Sequence, residues 1–263
     1  MALDPALMMN RLGLDPDPWQ RSVLRSASDR ILMLCVRQGG KSTATAVLGL
    51  HTAIFEPDSL VLLLAPSQRQ SSELFQKMNA SFVILGRPVP AVQETATTLV
   101  LNNGSRIVCL PGSPDTIRGF SSPRLVIIDE AALTQDDLIV AVSPMLGVGR
   151  GRLVALSTPM GRRGWFFDTW ETGTGWERFR ATAVDCPRIA PEFLAEQRQL
   201  LGDRWFRQEY MCSFEETIDQ VFSTESVLAA FTSSKSPLFE SSEAAPVAPD
   251  TISSKASLFG VGG

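Results

Sequence analysis

Residues 31–43 constrain the fold of this chain more than any other stretch of its sequence. An apolar run meets a glycine-containing turn, the turn ends in the sequence GKST at 40–43, and a helix-compatible run follows at 44–50. This order of strand, glycine turn, lysine, hydroxyl and helix is typical of a loop that binds a triphosphate through backbone N–H groups and the helix N-terminus. In such a loop Lys41 is expected to reach the β- and γ-phosphates, and the hydroxyl of Ser42 is expected to hold Mg²⁺.

The match to the consensus G-x-x-x-x-G-K-[ST] is incomplete, because Cys35 occupies the position of the first glycine. The tripeptide GKS alone is equally compatible with a loop that binds no ligand. Its context favours phosphate binding, since the preceding segment reads as a buried strand and the following one as a helix.

A pair of adjacent carboxylates, Asp129 and Glu130, follows the apolar and β-branched run at 125–128. Such a run indicates a central strand of a parallel sheet, buried on both faces. Unpaired charges are costly in a core, whereas the C-terminal edge of an α/β sheet is where ligands bind. At that edge Asp129 is expected to hold Mg²⁺ through water, and Glu130 to orient and deprotonate an attacking water. The alternative is a strand end whose acids only face solvent.

The composition limits the class of protein. The chain has 263 residues, of which 44% are hydrophobic and 20% charged, enough for one large α/β domain or a domain with a small appendage. The net charge is −4, whereas proteins that coat nucleic acid are usually basic. Any contact of this chain with nucleic acid must therefore use a local basic patch or a ring made by several subunits. Four cysteines without a CxxC pair and one histidine argue against a zinc site and for a reducing compartment. No apolar run approaches the roughly 18 residues of a membrane span, and no secretory signal is evident.

The N-terminal part of the chain contains one further candidate residue. Residues 1–18 read as irregular, and residues 19–27 as a short amphipathic helix whose apolar face packs on the core. Gln20 lies on this helix, where its amide can pair with an adenine edge. The alternative is a surface glutamine without a ligand.

A hairpin and a turn-rich loop precede the acidic strand. Asn-Gly at 103–104 predicts a hairpin between strands at 98–101 and 105–110. The loop at 111–123 then leads to the edge of the sheet and carries Arg118, which is placed to reach a nucleotide of its own or of a neighbouring subunit.

The remaining segments complete the expected organisation. A strand at 152–156 is followed by Ser157 and Thr158, whose hydroxyls can sense the γ-phosphate from a strand next to the phosphate loop. Two helices, separated at Gly202, are expected to form a small lid. The expected domains are a phosphate-loop ATPase core at 1–185, a helical lid at 186–231, and a flexible tail at 232–263.

Together, in order and spacing, several segments resemble the large terminase subunit of tailed bacteriophages, the ATPase of the DNA-packaging motor. They are 18–20, 37–42, 65–67, 103–105, 118–120, 125–131, 157–159 and 207–210. The resemblance covers roughly residues 15–225. It implies an α/β P-loop NTPase of the RecA/ASCE-like type, with a mainly parallel sheet flanked by helices and a helical lid.

The resemblance also implies roles for individual residues. Lys41, Glu130 and Arg118 would be catalytic, with Arg118 an arginine finger acting on a neighbouring subunit; Arg37, Arg150, Arg162 and Arg163 are its rivals. The residues implied to bind ATP are Gln20, Arg37, Gln38, Gly39, Gly40, Lys41, Ser42, Thr43, Asp129, Ser157 and Thr158. Ser42, in a Walker A loop without its first glycine, and Asp129, in the Walker B strand, would hold Mg²⁺.

The function implied by the resemblance is ATP-driven translocation of double-stranded DNA into a procapsid. The expected partners are a pentameric ring of this chain, the portal protein and the small terminase subunit, in the host cytoplasm and transiently at the portal vertex, without a membrane. Large terminases usually continue into an RNase H-like nuclease domain. The residues after the lid contain Asp250 but no acidic strand motif, so this chain is not expected to cut DNA, either because it is truncated or because the nuclease lies on another chain.

Two other functions fit parts of the pattern. A helicase-like DNA-dependent ATPase would need a second RecA-like domain, for which the chain has no room. A nucleotide-binding module without turnover would not need Glu130.

Overall fold

The computed structural model describes residues 4–216. Its strands are β1 (Arg30–Cys35), β2 (Leu60–Ala65), β3 (Ala91–Glu94), β4 (Thr98–Leu101), β5 (Arg106–Pro111), β6 (Leu125–Asp129), β7 (Arg152–Ser157) and β8 (Glu177–Ala181). Its helices are α1 (Ala6–Arg11), α2 (Pro18–Arg25), α3 (Lys41–Phe55), α4 (Gln68–Ile84), α5 (Pro114–Ile117), α6 (Asp136–Gly149), α7 (Gly164–Thr172) and α8 (Pro191–Met211).

The strands form one eight-stranded sheet in the order β3-β4-β5-β2-β6-β7-β1-β8. The pairings from β5 through β8 are all parallel, whereas β4 runs antiparallel to β5 and β3 antiparallel to β4. The parallel part places β7 between β1 and β6. This confirms the mainly parallel P-loop sheet and the prediction that the strand ending in Ser157 neighbours the strand of the phosphate loop.

The central strands are buried on both faces, because helices cover the sheet on each side. Alternate residues of β1 contribute to different cores: Met33 belongs to the cluster that includes Phe75 of α4, and Leu32 to the cluster that includes Phe166 of α7. Among the described residues, none of the helices combines the length and the apolarity that crossing a membrane requires.

Helix α8 is interrupted where the sequence predicts a break. Gly202 has φ 75° and ψ 165°, which is not helical. Phe193 and Tyr210 lie near opposite ends of α8, and a straight helix would separate them by about 25 Å. Their ring centroids are only 6.1 Å apart, so α8 folds back on itself as a helical hairpin.

Some predictions about the helices and strands were wrong, and others concern residues outside the described range. Residues 6–11 form α1 instead of an irregular segment; the Asp4 carboxylate accepts a hydrogen bond from the N–H of Ala6 (3.0 Å), and Met8 and Met9 are buried. The edge strand β3 and the short helix α5 were not predicted. The predicted tail, 232–263, lies outside the described residues, as does the end of the predicted lid after residue 216.

Candidate active site

The predicted ligands meet at one edge of the sheet because they follow parallel strands. Leu34 of β1 is in register with Ser157 of β7, and Leu156 of β7 is in register with Asp129 of β6. The phosphate loop, the two acids and the Ser157 hydroxyl therefore share the C-terminal edge, where open α/β sheets bind ligands.

The turn between β1 and α3 has the backbone of a phosphate loop. Gln38 (φ 61°) and Gly40 (φ 93°) both adopt left-handed conformations, and Gly40 is the N-cap of α3. The φ of Gly40 strains any residue with a Cβ, and a Cβ there would lie 2.5 Å from Nε2 of Gln20, so this position favours glycine. The first N–H groups of α3 have no partner within the helix and are available to an anion.

The lysine and the two acids form a connected set of contacts. Nζ of Lys41 lies 2.8 Å from Oε1 of Glu130, and both side chains are largely buried, at 8% and 24% exposed. The Ser42 hydroxyl donates to Oδ2 of Asp129 (3.2 Å), and the Ser157 hydroxyl donates to Oε2 of Glu130 (3.4 Å). Asp129 thus faces the Ser42 hydroxyl, and Glu130 faces the lysine.

Glu130 has an unusual backbone. Its φ of 50° and ψ of 44° lie in the left-handed region, which is uncommon for a residue with a side chain. Its N–H donates to Oδ1 of Asp129 at 2.9 Å. Strained residues of this kind concentrate at functional sites.

The electrostatics of the site fit a divalent cation. Burial raises the pKa of the Asp129 carboxyl, the charge of Glu130 raises it further, and Lys41 lowers it. Within residues 4–216, one lysine thus faces two carboxylates, which leaves net negative charge at this point. The oxygen atoms of Asp129 and Ser42 are hard donors of the kind that Mg²⁺ prefers.

Gln20, Thr43 and Thr158 are three further residues predicted to bind the nucleotide. Gln20 is buried, its Oε1 accepting from the N–H of Asp17 (2.9 Å) and its Nε2 donating to the carbonyl of Gly40 (3.1 Å). Thr43 is half-buried in the first turn of α3, and Thr158 is buried just after β7. Their contacts with a nucleotide stay predictions.

The five candidate arginine fingers are all exposed. Arg118 is 72% exposed and 3.4 Å from the carboxylate of Asp115. Arg37, Arg150, Arg162 and Arg163 are exposed as well, and Nε of Arg162 donates to the carbonyl of Phe214 at 3.2 Å. An exposed arginine is what a role on a neighbouring subunit requires, and the structure does not choose among them.

Two ion pairs at the phosphate loop were not foreseen. Arg188 donates to both oxygens of the buried Asp17 carboxylate (2.9 and 2.6 Å) and to the carbonyl of Gly39 (3.0 Å), and the carboxylate raises the pKa of Arg188. Nε of Arg37 lies 2.8 Å from Oε2 of Glu209. An acid before a proline, as at Asp17, signals a helix start, but no sequence signal connects it to Arg188.

Comparison with known proteins agrees with this geometry. A family model described as "Terminase large subunit, T4likevirus-type, N-terminal" matches residues 32–228. The large terminase subunit of Thermus virus P23-45 is 27% identical over 250 residues, covering 81% of this chain and 51% of the relative. The chain therefore spans about half the length of the curated relatives it matches.

Solved structures show the same fold. The large terminase ATPase domain of Thermus phage P74-26 has a TM-score of 0.70 and 23% identity, covering 79% of this chain and 97% of that one. A large terminase from a thermophilic bacteriophage, in complex with ATP-γ-S, has a TM-score of 0.58 and 14% identity, covering 75% and 52%. The family match over residues 32–228 shows that this chain belongs to the terminase large subunit family. The sheet topology and the site at the ends of its parallel strands agree with that assignment.

Proposed function

We propose that this chain is the ATP-hydrolysing motor of viral genome packaging, which couples hydrolysis to translocation of double-stranded DNA into a procapsid. The observation that carries the proposal is the convergence of Lys41, Ser42, Asp129 and Glu130 at one sheet edge, with Lys41 and Glu130 2.8 Å apart. The names of the relatives, large terminase subunits and an ATPase domain, support it.

Binding of the triphosphate uses the start of α3. Its free N–H groups and the Lys41 ammonium contact the phosphate oxygens. Ser42 and Asp129 would hold Mg²⁺, which when bound neutralises charge on the β- and γ-phosphates. The phosphates compete with Glu130 for Lys41, so their arrival releases the Glu130 carboxylate from its ion pair.

The released Glu130 then acts on water. Its carboxylate orients a water in line with the γ-phosphate and accepts its proton, which is general base catalysis. The Ser157 hydroxyl, 3.4 Å from Oε2, holds the carboxylate at the strand end. Lys41 stabilises the charge that develops on the transferred group.

A neighbouring subunit supplies the remaining positive charge in this proposal. An arginine finger in trans is worth about 10³–10⁵ in kcat in related enzymes. Arg118 is our first candidate from the sequence, and it is exposed, as a finger that acts on a neighbouring subunit must be. The proposed assembly is a pentameric ring that contacts DNA, the portal protein and the small terminase subunit in the host cytoplasm.

The test is the ATPase rate as a function of protein concentration, for wild type, Arg118→Ala, Glu130→Gln and an equal mixture of the two variants. We expect a rate that rises with concentration, is lost in each variant and is partly restored by mixing. Arg106→Ala is the control, since Arg106 is exposed at the opposite edge of the sheet.

The outcomes separate the candidate functions. Wild type that binds ATP but shows no turnover at any concentration, with or without DNA, would support the nucleotide-binding module. A rate that is independent of concentration and survives Arg118→Ala would contradict a finger at Arg118 and weaken the ring.

A further inference from the structure

We infer that Arg188 is a positioning residue of the phosphate loop. Its guanidinium holds the carbonyl of Gly39 on the side away from the phosphates and thereby directs the N–H of Gly40 toward them. The inference deepens the proposed function and rests on it, because it concerns how this loop binds a triphosphate. The sequence indicates no such role for Arg188, which lies 149 residues after Gly39.

Arg188 connects the phosphate loop to the start of α2. Its Nη1 and Nη2 donate to the two carboxylate oxygens of Asp17 at 2.9 and 2.6 Å, and Nη2 also donates to the carbonyl of Gly39 at 3.0 Å. Asp17 is the N-cap of α2 and is buried. The fold therefore fixes the acid, and a pair of parallel hydrogen bonds from the acid fixes the plane of the guanidinium.

The direction of each carbonyl in the loop sets the direction of the next N–H. In a trans peptide the C=O of one residue and the N–H of the following residue point opposite ways. The bond from Arg188 to the Gly39 carbonyl therefore turns the N–H of Gly40 away from Arg188. Nε2 of Gln20 acts in the same way on the next peptide, because it donates to the carbonyl of Gly40 at 3.1 Å and so turns the N–H of Lys41. Both N–H groups stand at the start of α3, where helices bind anions.

The backbone of the loop needs such contacts from outside. Gln38 has a φ of 61°, which is strained for a residue with a side chain, and Gly40 has a φ of 93°. A Cβ added at Gly39 would lie 3.1 Å from Sγ of Cys186, and one added at Gly40 would lie 3.5 Å from Nη2 of Arg188. The segment 186–188 therefore packs directly against the loop, within reach of its carbonyls.

The ion pair acts through geometry more than through charge. The carboxylate of Asp17 compensates the charge of Arg188, so the pair as a whole attracts a phosphate only weakly. N–H groups that already point at an anion do not have to be reoriented when it binds, and this preorganisation favours binding. Removing either charge of the pair should therefore weaken phosphate binding, although the two removals change the net charge in opposite directions.

The experiment measures the dissociation constant of Mg·tripolyphosphate by calorimetry on the full chain. This ligand has no sugar and no base, so contacts of Arg188 with those parts of a nucleotide do not contribute. Arg188→Ala should weaken binding about 10- to 100-fold, the range for one hydrogen bond to a charged group. Asp17→Asn, which keeps a good N-cap residue, should also weaken binding, whereas an effect of charge alone would strengthen it.

The amide proton of Gly40 provides a second readout, which global stability does not affect in folded protein. In wild type its NMR resonance should shift downfield on binding, because the N–H donates to an anionic oxygen. At saturating ligand this shift should be smaller in Arg188→Ala. The matched control is Arg198→Ala, which should change neither the shift nor the affinity. Arg198 is an exposed arginine of α8 that pairs with Asp203 at 2.6 Å.

The outcomes separate this inference from the proposed function, with thermal melts to confirm that each variant is folded at the assay temperature. The inference would be overturned by Arg188→Ala or Asp17→Asn binding tripolyphosphate at least as tightly as wild type. An equal Gly40 shift in Arg188→Ala and wild type would also overturn it. None of these results would affect the proposed function. Wild type that does not bind tripolyphosphate, or Lys41→Ala that binds it as tightly as wild type, would overturn both.

Discussion

Substitution of Gly40 by alanine tests how tightly the phosphate loop is constrained. The left-handed backbone of Gly40 (φ 93°) costs a residue with a Cβ about 1–2 kcal/mol. The new Cβ would also lie 2.5 Å from Nε2 of Gln20, so Gln20 must move and lose its hydrogen bond to the Gly40 carbonyl. That loss adds about 0.5–1.5 kcal/mol. We therefore expect the free energy of unfolding to fall by about 1.5–3.5 kcal/mol.

Gly86 provides the matched control. Its φ is 75°, and nothing lies within 4 Å of a Cβ added there, so Gly86→Ala measures the backbone cost alone. For a domain of this size about 1 kcal/mol lowers Tm by about 2–4 °C. Thermal unfolding should therefore show a Tm loss of about 2–8 °C for Gly86→Ala and about 3–14 °C for Gly40→Ala.

The excess loss in Gly40→Ala should disappear in a Gln20→Ala background, because the displaced side chain is then absent. Equal losses for Gly40→Ala and Gly86→Ala would refute the constraint by Gln20. So would an excess that persists without the Gln20 side chain.

Three further changes test the charged groups of the site. Glu130→Gln should bind ATP at least as tightly as wild type, because the neutral amide no longer competes with the phosphates for Lys41. Its single-turnover rate constant should fall about 10²–10⁴-fold, and normal hydrolysis would exclude Glu130 as the base. The pKa of the Asp129 carboxyl is raised above its ordinary value of 3.8. At pH values between 3.8 and the pKa in the folded state, the native chain therefore binds more protons than the unfolded chain. The free energy of unfolding falls as the pH rises through this range. Asp129→Asn should therefore raise Tm at pH 7 and lose this gain toward pH 4; a gain independent of pH in thermal melts would contradict the burial effect. Arg188→Ala leaves the buried Asp17 carboxylate unpaired and should lower the free energy of unfolding in urea by about 1–3 kcal/mol. This is less than the loss expected for a fully buried ion pair, because Arg188 is half exposed. Adding Asp17→Asn should recover part of that cost, and a purely additive pair would show that the contact is not stabilising.

The site was predictable where it depends on strand periodicity. The apolar runs before Lys41 and Asp129 indicate buried parallel strands, and parallel strands end at a common edge. The chain order alone therefore brings the lysine, the Ser42 hydroxyl and the two acids together. Asn103-Gly104 likewise predicts its hairpin through local turn chemistry.

The contacts that surround the site were not predictable in this way. Arg188 and Asp17 are 171 residues apart, and neither lies in a pattern that names the other. Arg37 pairs with Glu209 on the second half of α8, which reaches the loop because the helix folds back at Gly202. The sequence indicates a break at this glycine but not the direction in which the chain turns. Helix α1 was missed because tertiary burial of Met8 and Met9 stabilises a segment that its prolines make look irregular.

The two ends of the α8 hairpin are both attached to the phosphate loop. Arg188, just before α8, donates to the carbonyl of Gly39, and Glu209, near its end, pairs with Arg37. The end of α8 is also tied to β8, because Arg180 donates to the carbonyl of Met211. All of these contacts lie at the base of the hairpin, so any displacement that preserves them moves the tip at Gly202 farthest and the residues beside the phosphates least.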